Sequence, residues 1–409
     1  MPTAYRQRKQ DASFLLSGIK ESWACHQKAH ANVSHEAKLL LVVSDVPTST
    51  PGSAGCLDIT IYRGTTCAGP LSTGLCVLPK PRGSSTGILS PNSSSENDNL
   101  DDQERKRQRV NKKGENTKPV DHICANHLAP VDAAKPKIGS FNLAEAEDVC
   151  SRLCSPTAFR SHKATMGCHL DFRSRTFDFS HGHAIPLPAG FGKPLQGTIM
   201  SLQDIFNQEL DETLGDSQRF WLASLIVKSA LRHYDTGWWP ESWTPEQLNF
   251  YDLDTGDLTD SLQTLHLSSR LPISPVSRDG DTVMALTEDT TARRSKGKEK
   301  LTATHVIARD MMDVGIRNLT LWGVGVTLLQ IGLWRAIPWT DHVEVRQSVA
   351  SLASFSRRYH DLTDKLINCD FGKGSKLQKW ELQNEVYRSV VCELDETLEE
   401  FKKAGIWHL

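Results

Sequence analysis

Phosphoryl transfer is the chemistry that the charged motifs of this chain come nearest to spelling. That reaction needs a carboxylate to accept a hydroxyl proton, an Asn and a second carboxylate for magnesium, and a lysine on the phosphates. Three passages carry fragments of the set. His233-Tyr234-Asp235 offers the proton acceptor, but the magnesium Asn belongs five residues on, where the chain has Pro240. Asp370-Phe371-Gly372 spells a magnesium-binding triplet. Val77-Leu78-Pro79-Lys80 offers a lysine, with Glu145 or Glu147 as a helical partner. Pro79 argues against a central strand there, because proline cannot donate to a ladder. No Gly-x-Gly-x-x-Gly loop precedes it.

Other chemistries are spelled less well. His122-x-Cys124-x-x-His127, and Cys150-x-x-x-Cys154 with Cys168-His169, lack the tight paired spacing of structural zinc, so ordinary thiols are expected. Cys25, His26 and His30 read as local structure, and no metal or cofactor is expected. A serine hydrolase lacks its Gly-x-Ser-x-Gly elbow, and His181-Gly182-His183 belongs to connector sequence. The basic clusters at 105–113 and 293–298 carry no interleaved aromatics, which weighs against nucleic-acid binding.

The most distinctive stretch is 217–250, an apolar helix followed by a turn carrying Trp238, Trp239 and Trp243. Indoles bury large area, so these three, with Trp322, read as packing that locks the turn onto the helix. Use as a stacking platform for a ligand is the alternative. None of the three supplies a catalytic group.

Composition bounds what must hold that stretch in place. The chain has 409 residues, enough for a bilobed domain with long insertions. A net charge of −2 gives no global pull toward nucleic acid or anionic membranes. Residues 1–16 lack a signal-peptide run, and 319–334 is too short and polar to span a bilayer. Ten cysteines without a signal then imply reduced thiols and a cytoplasmic or nuclear setting, not secretion. The glycosylation-like triplets at Asn32, Asn92 and Asn318 become chance matches.

Periodicity predicts a helix over 12–28, strands at 37–43 and 57–62, a helix over 142–153, and two strands around a turn in 168–179. A short helix begins at Ser201, capped with Asp204, and the long helix covers 217–235. Three helices follow: about 314–335, then one along Val345 to Leu366, then one along Leu382 to Phe401. Between these lie polar tracts. Residues 84–137 are read as disordered and 268–300 as a mobile loop. The first holds Arg105 to Lys113, a nuclear-import address or a solvated charge run. Nine of the ten tryptophans lie beyond residue 220, so the main core is expected there.

The order of these elements resembles the layout of a protein kinase. Trp322-Gly323-Val324-Gly325-Val326-Thr327-Leu328-Leu329-Gln330-Ile331 is similar to the kinase pattern D-x-W-S-x-G-V-x-L-x-E-[LI], the central helix of the larger lobe. More closely, the chain resembles a fungal family of kinase-like domains of unknown function. Such domains accompany the helical prion-inhibition (HeLo-type) modules of non-self recognition. Four passages carry this likeness: Trp23-Ala-Cys25 with His30; Arg219, Leu231, His233 and Thr236-Gly-Trp238 through Trp243 to Phe250; the central helix through Ile337; and Cys369-Asp-Phe371-Gly372 with Glu385, Tyr387, Val390 and Leu394.

The resemblance implies an α+β, protein-kinase-like bilobed fold. Residues 1–83 and 138–200 would build a small β-containing lobe, 84–137 an insertion, and 201–409 a helical lobe. In a kinase the magnesium triplet precedes the central helix; here Asp370 follows it, so the triplet is expected to end a helix, with Gly372 as its left-handed cap. Thr320 stands where kinases hold the Asp that braces the catalytic loop. The expectation is therefore a catalytically inactive, pseudokinase-like module acting through protein partners. The alternative is an atypical nucleotide-binding protein or kinase with relocated residues.

Overall fold

The computed structural model describes residues 3–25, 34–41, 57–66, 69–81, 141–154, 165–181, 198–207, 214–240, 243–253, 258–272 and 310–407. Met1–Gly83 and Ser140–Leu409 form one compact unit, and all described residues belong to it. The expected insertion at 84–137 with its basic cluster, the connector at 182–197, His26, His30, His122 to His127, and 273–309 lie outside the described residues.

Helix α1 (Thr3–Ser22) buries Tyr5, Ala12, Leu15, Leu16 and Ile19 along one face. It starts nine residues before the expected 12 and ends before the expected 28. Its first half has one large apolar residue, so the periodicity there is faint. Polar contacts hold that half instead: Arg6 lies 3.9 Å over the Trp380 ring, and Asp11 is 2.8 Å from the Arg175 guanidinium. Burial pushes the Asp11 carboxyl up, against the pull of Arg175.

The strands β1 (His35–Leu40), β2 (Leu57–Thr66), β3 (Gly69–Pro81), β4 (Phe141–Asn142), β5 (Thr165–Phe172), β6 (Arg175–His181), β7 (Thr198–Ser201), β8 (Leu248–Asp252) and β9 (His266–Arg270) form one mixed sheet. Its order is β4-β5-β6-β3-β2-β1-β9-β8-β7, antiparallel except for β4–β5. Leu57, Ile59 and Ile61 alternate into the core on β2, as half-buried strands require. Strand β3 runs straight through Pro79, contrary to the sequence expectation. Among the described residues pairing with β2 ends at Val77, and Pro79 opposes Phe177 of β6. The expected loop at 268–300 likewise begins inside β9.

The expected helix at 142–153 is three pieces: β4, a 3-10 turn at Leu143–Glu145 capped by the Asn142 side chain, and α2 (Val149–Cys154). Helix α3 (Leu202–Phe206) carries the Ser201–Asp204 capping box that the sequence predicts. Next come α4 (Asp216–His233), α5 (Leu258–Leu262) and α6 (Leu319–Leu333). The apolar run at 345–366 splits into α7 (His342–Val349) and α8 (Arg357–Asn368). The serine-rich link explains the break, since the Ser354 hydroxyl donates to the Ser351 carbonyl and Ser356 caps α8. Helices α9 (Trp380–Val386) and α10 (Cys392–Lys403) continue through a π-turn at Tyr387–Val391. The architecture is α+β. No helix among the described residues is long and apolar enough to cross a membrane.

Helix α6 is buried at every position from Leu319 to Gly332, the state expected of a helix apolar all round. Close approach is what its glycines permit. A Cβ on Gly323 would lie 2.5 Å from the Trp243 carbonyl oxygen, and one on Gly325 would meet Ile367 of α8 at 2.7 Å. Gly→Ala inside a helix ordinarily stabilises by roughly 0.5–1 kcal/mol. At position 323 the sign should reverse. We predict that Gly323→Ala destabilises by about 1–3 kcal/mol, the usual cost of overpacking, read as a lower chemical-denaturation midpoint. An unchanged or higher midpoint would contradict the packing.

Candidate functional site

The aromatic turn is built from the end of α4. Tyr234 still donates its N–H to Ala230, and Asp235 then takes a left-handed φ of 56°. Thr236 fastens the reversal: its hydroxyl donates to the His233 carbonyl at 2.5 Å and accepts from the Trp238 N–H at 3.3 Å. The Trp239 N–H returns to the Thr236 carbonyl at 3.2 Å.

All four indoles named from the sequence point into the core. Trp238, Trp239, Trp243 and Trp322 are at most 1% exposed. Trp238 Nε1 donates to the Ala12 carbonyl of α1 at 2.9 Å, while Trp239 and Trp243 stack with centroids 4.6 Å apart. Trp322 Nε1 donates to the Trp339 carbonyl at 2.9 Å. Their faces are committed to each other and to the central helix, leaving no open stacking surface on Trp238 or Trp243.

A cleft of about 930 Å³ does lie on the outer side of the turn, against the start of α6. Its lining includes Tyr234 to Gly237, Trp239, Arg317 to Thr320 and Lys376. Asp235 is the only carboxylate among these lining residues. The nearby Asn318 amide is used as a helix cap and tie: it accepts from the Leu321 N–H and donates to the Ser375 carbonyl. Thr320 is buried in the first turn of α6.

The remaining phosphoryl-transfer fragments lie elsewhere. Asp370 is exposed beyond α8, where its N–H bonds to the Lys365 carbonyl and that of Cys369 to Leu366. This is a Schellman closure, and Cys369, φ 48°, takes its left-handed position. Gly372 was expected in that role; it is also left-handed, φ 62°, but lies three residues further on. Lys80 is exposed and pairs with Asp178 at 2.5 Å, while Glu145 and Glu147 are exposed on and beside the 3-10 turn. Asp235 itself lies 3.9 Å from Lys9, whose ammonium sits 3.3 Å over the Tyr234 ring.

The structure also assembles groups that linear spacing hides. Lys38 of β1 is 1% exposed, donates to the Tyr251 hydroxyl at 3.1 Å, and is pushed down to about 8 by burial. His266 stacks on the same Tyr251 ring at 5.1 Å, with Nδ1 2.8 Å from the Thr264 carbonyl. Burial, aided by the Lys38 charge, lowers His266 to about 3. Burial also holds His233 well below the usual histidine value. A lysine inside the apolar run 37–41 was the one visible signal. Cys150, in turn, meets Cys25 and His35, with ligand atoms all within 4.8 Å.

No family model, curated protein or solved structure matches the chain.

Two predictions follow from the geometry of the turn and of the buried rings. Trp238→Phe removes the Nε1 bond to the Ala12 carbonyl, which keeps its partner within α1, a cost of about 0.5–1.5 kcal/mol. Trp239→Phe carries no such penalty, because Trp239 Nε1 has no hydrogen-bond partner among the described residues. Trp238→Phe should therefore melt at the lower temperature; equal melting temperatures would refute the Ala12 bond. The second concerns pH. His266 is neutral when folded, and the unfolded ring binds its proton near pH 6.5, so stability present above that pH is lost as pH falls toward 3. Below pH 6.5 the contribution is up to about 1.4 kcal/mol per pH unit. Denaturant titrations across pH 7.5 to 4.5 should show a flatter slope for His266→Gln, by about one proton's worth.

Proposed function

We propose that the chain is a catalytically inactive, kinase-like interaction module that works through protein contacts. The reading is supported most by one observation: the turn after the long helix, where a kinase would keep its catalytic loop, is occupied by three buried indoles and, among the described residues 234–240 and 243, one carboxylate, the exposed Asp235. Helices packed around a fully buried central helix support the reading for the C-terminal part, while β8 and β9, inside the expected helical lobe, join the same sheet as β1. A place in fungal non-self recognition or signalling, in the cytoplasm or nucleus, belongs to the same proposal.

The nucleotide-binding alternative needs a lysine to meet phosphate. The cations lining the cleft beside the turn are Arg317 and Lys376, while the buried Lys38 ammonium is covered by Tyr251. A titration of the full chain with ATP and Mg²⁺, followed by thermal unfolding, separates the two readings. Ligand binding to the native state raises the melting temperature, so the proposal predicts a flat response at millimolar nucleotide. A rise, or Mg²⁺-dependent phosphotransfer abolished by the exposed-site variant Asp235→Asn, would replace it with the alternative.

A further inference from the structure

We propose that Cys25, His35 and Cys150 form a zinc site. The three come from separate elements: the segment after α1, the first residue of β1, and the first turn of α2. One ligand atom from each lies within 4.8 Å of the others. The Cys150 Sγ to His35 Nε2 distance is 3.4 Å. Zinc bonds of about 2.3 Å to sulfur and about 2.0 Å to nitrogen, at a tetrahedral angle, place those two atoms about 3.5 Å apart. The observed spacing, at which the two atoms hydrogen-bond in the absence of an ion, is also that of two donors on one metal.

The donor set selects the ion. Two thiolates and an imidazole suit a borderline-soft cation, and exclude magnesium and calcium, which take oxygen ligands. Zinc requires no redox partner and accepts three protein ligands with a water in the fourth position. Binding releases the protons of the two thiols and uses the Nε2 lone pair of His35.

The surroundings hold the donors in place. His35 is 3% exposed and Cys150 fully buried, while Cys25 keeps part of its residue surface exposed although it counts as buried within the cluster. The Cys150 N–H donates to the Ala24 carbonyl at 3.1 Å, fixing α2 beside Cys25. The His35 carbonyl accepts from the Leu271 N–H at 2.9 Å, and the Trp23 ring lies 5.3 Å from its imidazole. Linear spacing conceals this set because Cys150 and His35 are 115 residues apart. In structural terms the ion would tie the end of α1 to β1, and α1 is the helix whose Ala12 carbonyl receives Trp238.

The test is metal analysis of the full chain, prepared under reducing, zinc-supplemented conditions. We expect one zinc per chain. Replacing it with Co²⁺ should give thiolate-to-cobalt charge-transfer bands and the visible bands of a tetrahedral ion. Cys25→Ser, the mildest change because Cys25 is not fully buried, should remove both the zinc and the bands. Cys392→Ser, on α10 outside the cluster, should keep them. Cobalt spectra of the unaltered chain hold the test open if Cys150→Ser or His35→Gln fails to fold. The proposal is overturned if the unaltered chain binds no stoichiometric zinc, if Cys25→Ser binds it as well as the parent, or if a Cys25–Cys150 disulfide is recovered from the reduced preparation.

Discussion

The contact between the aromatic turn and Gly323 is the constraint on which the helical part depends. Because Gly323 has no side chain, the Trp243 backbone can lie directly on the central helix. Trp239 then stacks on Trp243, and Trp238 reaches past them to α1. Truncating such a buried aromatic typically costs about 3–5 kcal/mol, so these rings are among the largest contributors to packing in their region. The same approach recurs further along α6, where Gly325 admits Ile367 and Gly332 admits Leu352 and Tyr359. Three glycines on one helix thus let the turn, α8 and the preceding 3-10 segment share a single axis.

Helix α1 carries that order to the sheet. Its Ala12 carbonyl is bonded to Trp238, its Asp11 pairs with Arg175 at the start of β6, and its Gly18 lies against Leu170 and Phe172 of β5. Beyond its end, Trp23 packs beside His35 of β1. One amphipathic helix therefore links the aromatic turn to several strands of the nine-stranded sheet.

What was legible in the sequence was what local pattern encodes. The apolar density of α4 and α6, the Ser201–Asp204 cap and the alternation around residues 168–179 each depend on neighbours a few positions apart. The inward orientation of the tryptophans followed from their size and clustering. Other features depend on distant partners. Pro79 lies in β3 opposite Phe177 of β6, the first half of α1 is held by Trp380 and Arg175, and Lys38 is buried against a tyrosine 213 residues away. The Cys25, His35 and Cys150 cluster belongs to this second group. The left-handed cap after α8 failed for a different reason: a cysteine took the position that propensity assigns to glycine.

The central claim is that the turn is a packed joint and not a ligand site. Amide hydrogen exchange across residues 234–240, with and without millimolar ATP and Mg²⁺, tests it most directly. The account predicts that the Trp238 and Trp239 amides, bonded to Thr236, exchange only as slowly as the global core, with no change on adding nucleotide. Fast exchange in the free protein that slows on adding nucleotide would contradict it.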